Sequence, residues 1–168
     1  MRRRTTIPDP PSDSRRRLLA LAAGTVAVGI ARTVGAEEPK AELRFPGDAP
    51  THKVVYQFNS GAPDYHDHVI FSVGAMLRQY NDDIRIAVTA IGPGIHILLK
   101  KPGRPVSRTI REKVASLAQY GVEFHACGST LTALKLTEAD LLPFAKLVPV
   151  GAADLMELQE QGYAYISW

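Results

Sequence analysis

Two kinds of apolar run alternate along the chain from His52 onward. Short β-branched and aromatic runs occur at His52–Phe58, Ile84–Ile91, Val122–Ala126 and Leu147–Val150. Such runs, bounded by turn residues, predict strands. Between the first two, Val69, Val73, Met76, Leu77 and Tyr80 recur at helical spacing and make one apolar face. Ile110, Val114, Leu117 and Ala118 make a second such face, and Gly121 suits the position just beyond that helix. Asp64 can cap the first helix, and Thr109 to Glu112 has the capping-box spacing for the second. Thr137–Phe144 reads as a short helix capped by Thr137, and Ala152–Gln161 as a final helix. Tyr163–Trp168 alternates aromatic and small residues and predicts a terminal strand. Ile95–Leu99 fits either a helical turn or a short strand. Pro149 has no N–H to give a ladder, so the strand that holds it is short or near an edge.

Strands alternating with helices predict an α/β three-layer sandwich around a mostly parallel sheet of about five strands. Right-handed crossovers then bring every strand's carboxyl end to one side. Ligands of open parallel sheets bind there, near the point where strand order reverses. Asn59-Ser60-Gly61, Gly92-Pro93-Gly94 and Cys127-Gly128-Ser129-Thr130 each follow a predicted strand and are expected on that rim. No internal repeat or low-complexity tract interrupts the pattern.

The N-terminal third has a different pattern. Arg2–Arg4 and Arg15–Arg17 precede Leu18–Ala31, a purely apolar and small-residue run. That run is too short for the hydrocarbon core, which takes roughly 20 residues. Thr33-Val34-Gly35-Ala36 then offers small residues for cleavage. The three features predict a secretory signal over residues 1–36, and the adjacent arginines before Leu18 predict its twin-arginine variant. An ordinary secretory signal and an uncleaved anchor are the alternatives. The expected product is periplasmic, without a permanent membrane anchor. Residues 37–51, with Pro39, Pro46 and Pro50, read as an extended linker, which leaves 52–168 as the folded domain.

This division changes the meaning of the charge. The whole chain carries 20 basic and 17 acidic residues. Residues 1–36 hold seven Arg against Asp9 and Asp13, a net +5, so the rest has a net −2. The basic character therefore belongs to the leader. Beyond the leader, Lys100, Lys101 and Arg104 form the only dense basic spot, which reads as a solvated loop, so no nucleic-acid partner is expected.

The chain has one cysteine, Cys127, so no intramolecular disulfide forms. A lone thiol in an oxidising compartment calls for burial, intermolecular pairing or chemistry. Placed before a helical turn over Ser129–Leu134, its thiolate would gain from free N–H groups. A small buried hydrophobe is the equally simple reading. His96 follows the glycine loop, and His125 stands two before Cys127, on the same face of a strand. Either is placed to polarise the thiol or to serve structure. His66 and His68 sit two apart, which on a helix turns them away from each other, so they read as a solvated helix start and no metal is expected. The Gly92 loop lacks phosphate-loop or dinucleotide spacing, so no cofactor is expected. Asp154 and Glu157 read as surface charges matched to a helix dipole.

The chain resembles the DsrE/DsrF-like family from about Lys53 to Trp168. The resemblance is carried by Val54-Val55-Tyr56-Gln57, by Ile84–Ile95 with its Gly-Pro-Gly loop, by Phe124-His125-Ala126-Cys127-Gly128-Ser129-Thr130-Leu131, and by Val150-Gly151-Ala152-Ala153-Asp154-Leu155 through to Ile166. It is nearest an uncharacterised branch with exported members, in which an Asn stands where this chain has Ser129. The resemblance implies a compact α/β fold and a homo-oligomer, trimer or hexamer. It also implies a persulfide-carrying cysteine at Cys127, working with a sulfur-relay partner protein. Three functions remain open. The first is a sulfur carrier or sulfurtransferase-like protein with Cys127 as acceptor and Asn59, Gly92, Gly94, His96, His125, Gly128 and Ser129 around its substrate. The second is a non-catalytic oligomeric module that binds a small ligand, with Cys127 structural. The third is a metal or redox protein.

Overall fold

The computed structural model describes residues 47–168. The predicted signal and most of the predicted linker lie outside the described residues. Five strands form one sheet: β1 (His52–Phe58), β2 (Ile84–Ala90), β3 (Glu123–Cys127), β4 (Ala145–Val148) and β5 (Ala164–Ile166). Four helices connect them: α1 (Pro63–Tyr80), α2 (Arg108–Gln119), α3 (Gly128–Ala133) and α4 (Gly151–Glu160). All pairings are parallel, in the order β4-β3-β2-β1-β5. Among the described residues no helix is long and apolar enough to cross a membrane.

Strand alternation divides the core in two. Val54, Tyr56, Phe58, Ile86, Val88 and Phe124 face α1, α2 and α3, meeting Val69, Val73, Ile110, Val114 and Leu131. Val55 and Ala87 face the other way and meet Leu155 and Leu158 of α4. The order explains this. Successive crossovers from β1 to β4 advance in one direction, so their helices share one face. The last crossover returns past β1, and right-handedness puts α4 on the opposite face.

Several element ends differ from expectation, each for a local reason. Ala62 is the N-cap of α1, with Pro63 in its first turn, so Asp64 lies inside the helix instead of capping it. Ser107 caps α2 by accepting the Ile110 N–H at 3.1 Å, while Glu112 pairs with Arg108 at 2.7 Å. The predicted helix at Thr137–Phe144 is only a 3-10 turn, Glu138–Asp140, although Thr137 and Asp140 do form a capping box. Pro143 disfavours a helical Leu142, and Leu141 instead bridges Leu99 in antiparallel fashion. The strand expected at Leu147–Val150 begins earlier and ends before Pro149, at the sheet edge. Ile95–Leu99, open between a helical turn and a strand, falls mostly within a 3-10 stretch, Gly92–Leu98.

Candidate functional site

The connections leaving β3 and β4 run to opposite faces of the sheet, so the crevice between their carboxyl ends is the switch point of this topology. Cys127 ends β3 there, opposite Val148 of β4. Gly128 packs so tightly beneath the end of β4 that a Cβ would stand 3.0 Å from the Val148 carbonyl oxygen. The Ser129 N–H donates to the Pro149 carbonyl at 3.1 Å. These contacts seat α3 against β4 and leave the thiol between two helix starts.

The sulfur collects donors from two connections, those that follow β3 and β4. The Gly151 N–H, at the start of α4, donates to Sγ at 3.2 Å. Thr130 presents its hydroxyl to the sulfur, and that same oxygen accepts the Gly92 N–H at 3.0 Å. Burial pushes the thiol up, but these donors outweigh it: the Thr130 hydroxyl first, then the backbone N–H groups of Gly151, Thr130 and Ser129. The thiol is held below its ordinary value, the condition for a nucleophilic or sulfur-accepting thiolate.

Cys127 is only 3% exposed, as open to the reading of a small buried hydrophobe as to that of a reactive thiol. It nevertheless lines a cavity of about 470 Å³ shared with Ile91, Gly92, Pro93, His96, Arg104 and Thr130, and walled further by Leu134, Val150 and Ala152. The walls are mainly apolar, and Arg104 is their one permanent charge. His96 is held below the ordinary imidazole value by burial and by the Arg104 guanidinium, so the neutral ring is present near pH 7. Its Nδ1 accepts the Gly103 N–H at 3.2 Å, which leaves the ring proton on Nε2.

Of the residues read from the sequence, Cys127, Gly92, His96 and Ser129 line this cavity. The Ser129 hydroxyl donates to the Pro149 carbonyl at 3.2 Å. Gly128 shapes the crevice, as described. Gly94 is buried beneath β1, where an added Cβ would collide with the Phe58 carbonyl, and Asn59 is exposed beside Tyr65. Neither lines the cavity. His125 shares the strand face of Cys127 but makes no hydrogen bond to it. Its Nδ1 is 2.9 Å from the Asp154 carboxylate, which also accepts the Thr89 hydroxyl at 2.6 Å. Asp154 is thus a buried partner, 9% exposed, instead of the surface charge expected. His66 is likewise buried, with Nε2 3.1 Å from the Ser60 carbonyl oxygen. Among the described residues no group of three or more His, Cys, Asp and Glu is placed to hold a metal ion. The Thr130 hydroxyl, Gly151 and Thr89 were given no role at the thiol in the sequence, and Arg104 and Asp154 were read as solvated charges, although Gly151, two residues after Pro149, marks the helix start that reaches the sulfur.

A parallel α/β layer with a donor-ringed cysteine at its switch point defines the class: a fold of the DsrE type. The DsrE/DsrF-like family model matches residues 52–168, and the chain belongs to that family. A protein of unknown function, MTH1491 of Methanobacterium thermoautotrophicum, is similar in structure, with TM-score 0.63 and 26% identity. The match covers 70% of this chain and 99% of that one. The ychN protein of E. coli is similar in fold at TM-score 0.53 and 15% identity, again over 70% of this chain and 99% of that one. No curated protein is matched.

Proposed function

We propose that the protein is an exported sulfur carrier or sulfurtransferase-like protein in which Cys127 accepts sulfane sulfur. The observation that carries this reading is the convergence of the Thr130 hydroxyl and the Gly151 N–H on one sulfur atom at the floor of a cavity. The Cys127 thiolate attacks the outer sulfur of a donor persulfide. The new S–S bond forms as the donor's S–S bond breaks, and the donor leaves as a thiolate. Cys127 then holds the persulfide anion, which the same donors stabilise. No oxidant is consumed. A relay partner protein takes the sulfur from Cys127 by the same exchange.

The test is intact mass after incubation with a persulfide donor. Wild type gains one sulfur and Cys127→Ser gains none. A folded wild type that takes up no sulfur overturns the reading. The low exposure of Cys127 and the apolar cavity walls favour a second reading, a small-ligand binding module with a structural cysteine. In that case the thiol resists alkylation until the protein unfolds. Export through the twin-arginine route to the periplasm is part of the proposal, supported by Arg15–Arg17 ahead of Leu18–Ala31. Assembly as a trimer or hexamer is part of it too, supported by the family. Sedimentation at micromolar concentration tests the assembly, and a monomer alone overturns it.

A further inference from the structure

Asp154 stands in the first turn of α4, three residues after Gly151. Thr89 and His125, which it binds, are directly opposed on β2 and β3. Gly151 in turn rests two residues further along in the same sense, over Ile91 just past the end of β2 and Cys127 at the end of β3. A Cβ there would stand 2.7 Å from Ile91 Cγ1 and 3.0 Å from Cys127 Cβ. The first turn of α4 is therefore attached at two points. Asp154 grips the Thr89–His125 pair, and Gly151 lies on Ile91 and Cys127. Three residues of helix advance about 4.5 Å and two residues of strand about 6.6 Å, so the two contacts fit one helical turn laid obliquely across two strands. A slide of α4 breaks both together.

We propose that Thr89, Asp154 and His125 are positioning residues that lock α4 in register, so that the Gly151 N–H is aimed at the Cys127 sulfur. The three side chains touch the sulfur only through the helix. The single hydrogen bond from Thr89 and the carboxylate–imidazole contact leave the Asp154 oxygens fully engaged. His125 Nε2 is buried with no hydrogen-bond partner, and Glu123 stands 3.7 Å from it. This atom is not needed to hold the helix. The charged groups near the network are Glu123 and Lys146, while His96 and Arg104 line the cavity on the thiol's other side.

The inference rests on the thiol site assigned above, but its test needs no sulfur donor, so it fails or stands apart from the carrier reading. The rate of alkylation by iodoacetamide, followed against pH by intact mass, reports the fraction of thiolate on the chain's only cysteine. Thr89→Val and Asp154→Ala should slow alkylation at neutral pH by about threefold to tenfold, up to one pH unit of displacement. The limiting rate at alkaline pH should hold or rise slightly, because a more basic thiolate is the better nucleophile. Thr89→Ser, which keeps the hydroxyl, should restore the wild-type profile. A merely structural loss would instead speed alkylation at every pH by opening the site. Folded variants with the wild-type profile overturn the proposal, as does a Thr89→Ser profile displaced as far as that of Thr89→Val. Should Asp154→Ala fail to fold, the two Thr89 variants decide alone, since Thr89→Val exchanges one hydroxyl for a methyl of similar size and Thr89→Ser removes one methyl.

Discussion

Thr130→Val removes one oxygen and keeps the shape of the side chain, so it isolates the largest donor on Cys127. In the wild type the Thr130 hydroxyl donates to the sulfur and accepts from Gly92 N–H at 3.0 Å. A hydrogen bond to a charged group is worth about 1.5–3 kcal/mol net, and one pKa unit corresponds to about 1.36 kcal/mol. Thr130 is only partly buried, and water can replace some of what is lost, so the lower end applies and the thiol should rise toward its ordinary value. Alkylation at neutral pH should then slow about tenfold. Stability should change with a definite sign. A thiol held below its unfolded value contributes stability that is complete above the unfolded value and is lost as pH falls through the folded one. The valine variant lacks most of that gain, so its deficit should widen by about 1 kcal/mol as pH rises through this window. A further deficit of about 1 kcal/mol, constant with pH, comes from the orphaned Gly92 N–H. Urea unfolding at several pH values separates the two, and Thr130→Ser should behave as wild type. An unmoved rate–pH profile in folded Thr130→Val, or a serine variant displaced as far as the valine, refutes the reasoning.

Gly151→Ala should push α4 away from Cys127, because its Cβ would meet Ile91 Cγ1 at 2.7 Å; a cost of about 1–3 kcal/mol and a more basic thiol are expected in urea melts and alkylation profiles. Gly94→Ala should give little folded protein, since the Phe58 carbonyl on β1 occupies the place of the new Cβ and backbone cannot swing aside; circular dichroism of the purified variant checks it. Burial raises the Asp154 carboxyl, but its bonds to His125 and Thr89 outweigh that and hold it low. Its contribution is therefore present above the ordinary carboxylate value and lost as pH falls through the folded one, so Asp154→Asn should flatten the acid limb of a stability–pH curve. N-terminal sequencing of exported protein should begin at Glu37, after Val34-Gly35-Ala36; a chain that still begins at Met1 counts against the signal.

The inner strands were readable because buried parallel strands carry near-continuous apolar runs, as in Ile84–Ile91. The edge strand β4 was misplaced by two residues, since its short run is half exposed and only its register with β3 fixes it. Capping was misassigned wherever two candidates stood close together, as Ser107 and Thr109 do, and only the chain's entry angle chooses between them. The rim cysteine was readable from position: a strand, a glycine and two hydroxyl residues in a row. Of its donors, the N–H groups of the turn that follows were expected, but the Thr130 hydroxyl and the Gly151 N–H were not. Thr130 was read only as part of the turn that follows Cys127, and nothing local shows that its hydroxyl ties the Gly92 loop to the sulfur. Asp154 is harder still. An acidic residue in a first helical turn reads as dipole matching, and its partners lie 29 and 65 residues away.

Those distant partners follow from the strand order. Four strands laid down in one direction place three helices on one face and, among the described residues, leave the other face to α4 alone. That face carries Thr89 and His125 toward the carboxyl end, polar groups that a single short helix must bury. An apolar α4 would strand both without partners, at about 1–3 kcal/mol each. A carboxylate in its first turn satisfies both, and the N-terminal half of a helix is where a buried negative charge is best tolerated. The same turn contains the glycine whose N–H reaches the sulfur. The returning crossover therefore resolves a packing problem and a chemical one with four consecutive residues, Gly151 to Asp154. For that reason the thiol's environment depends on the far strand face as much as on the cavity it lines.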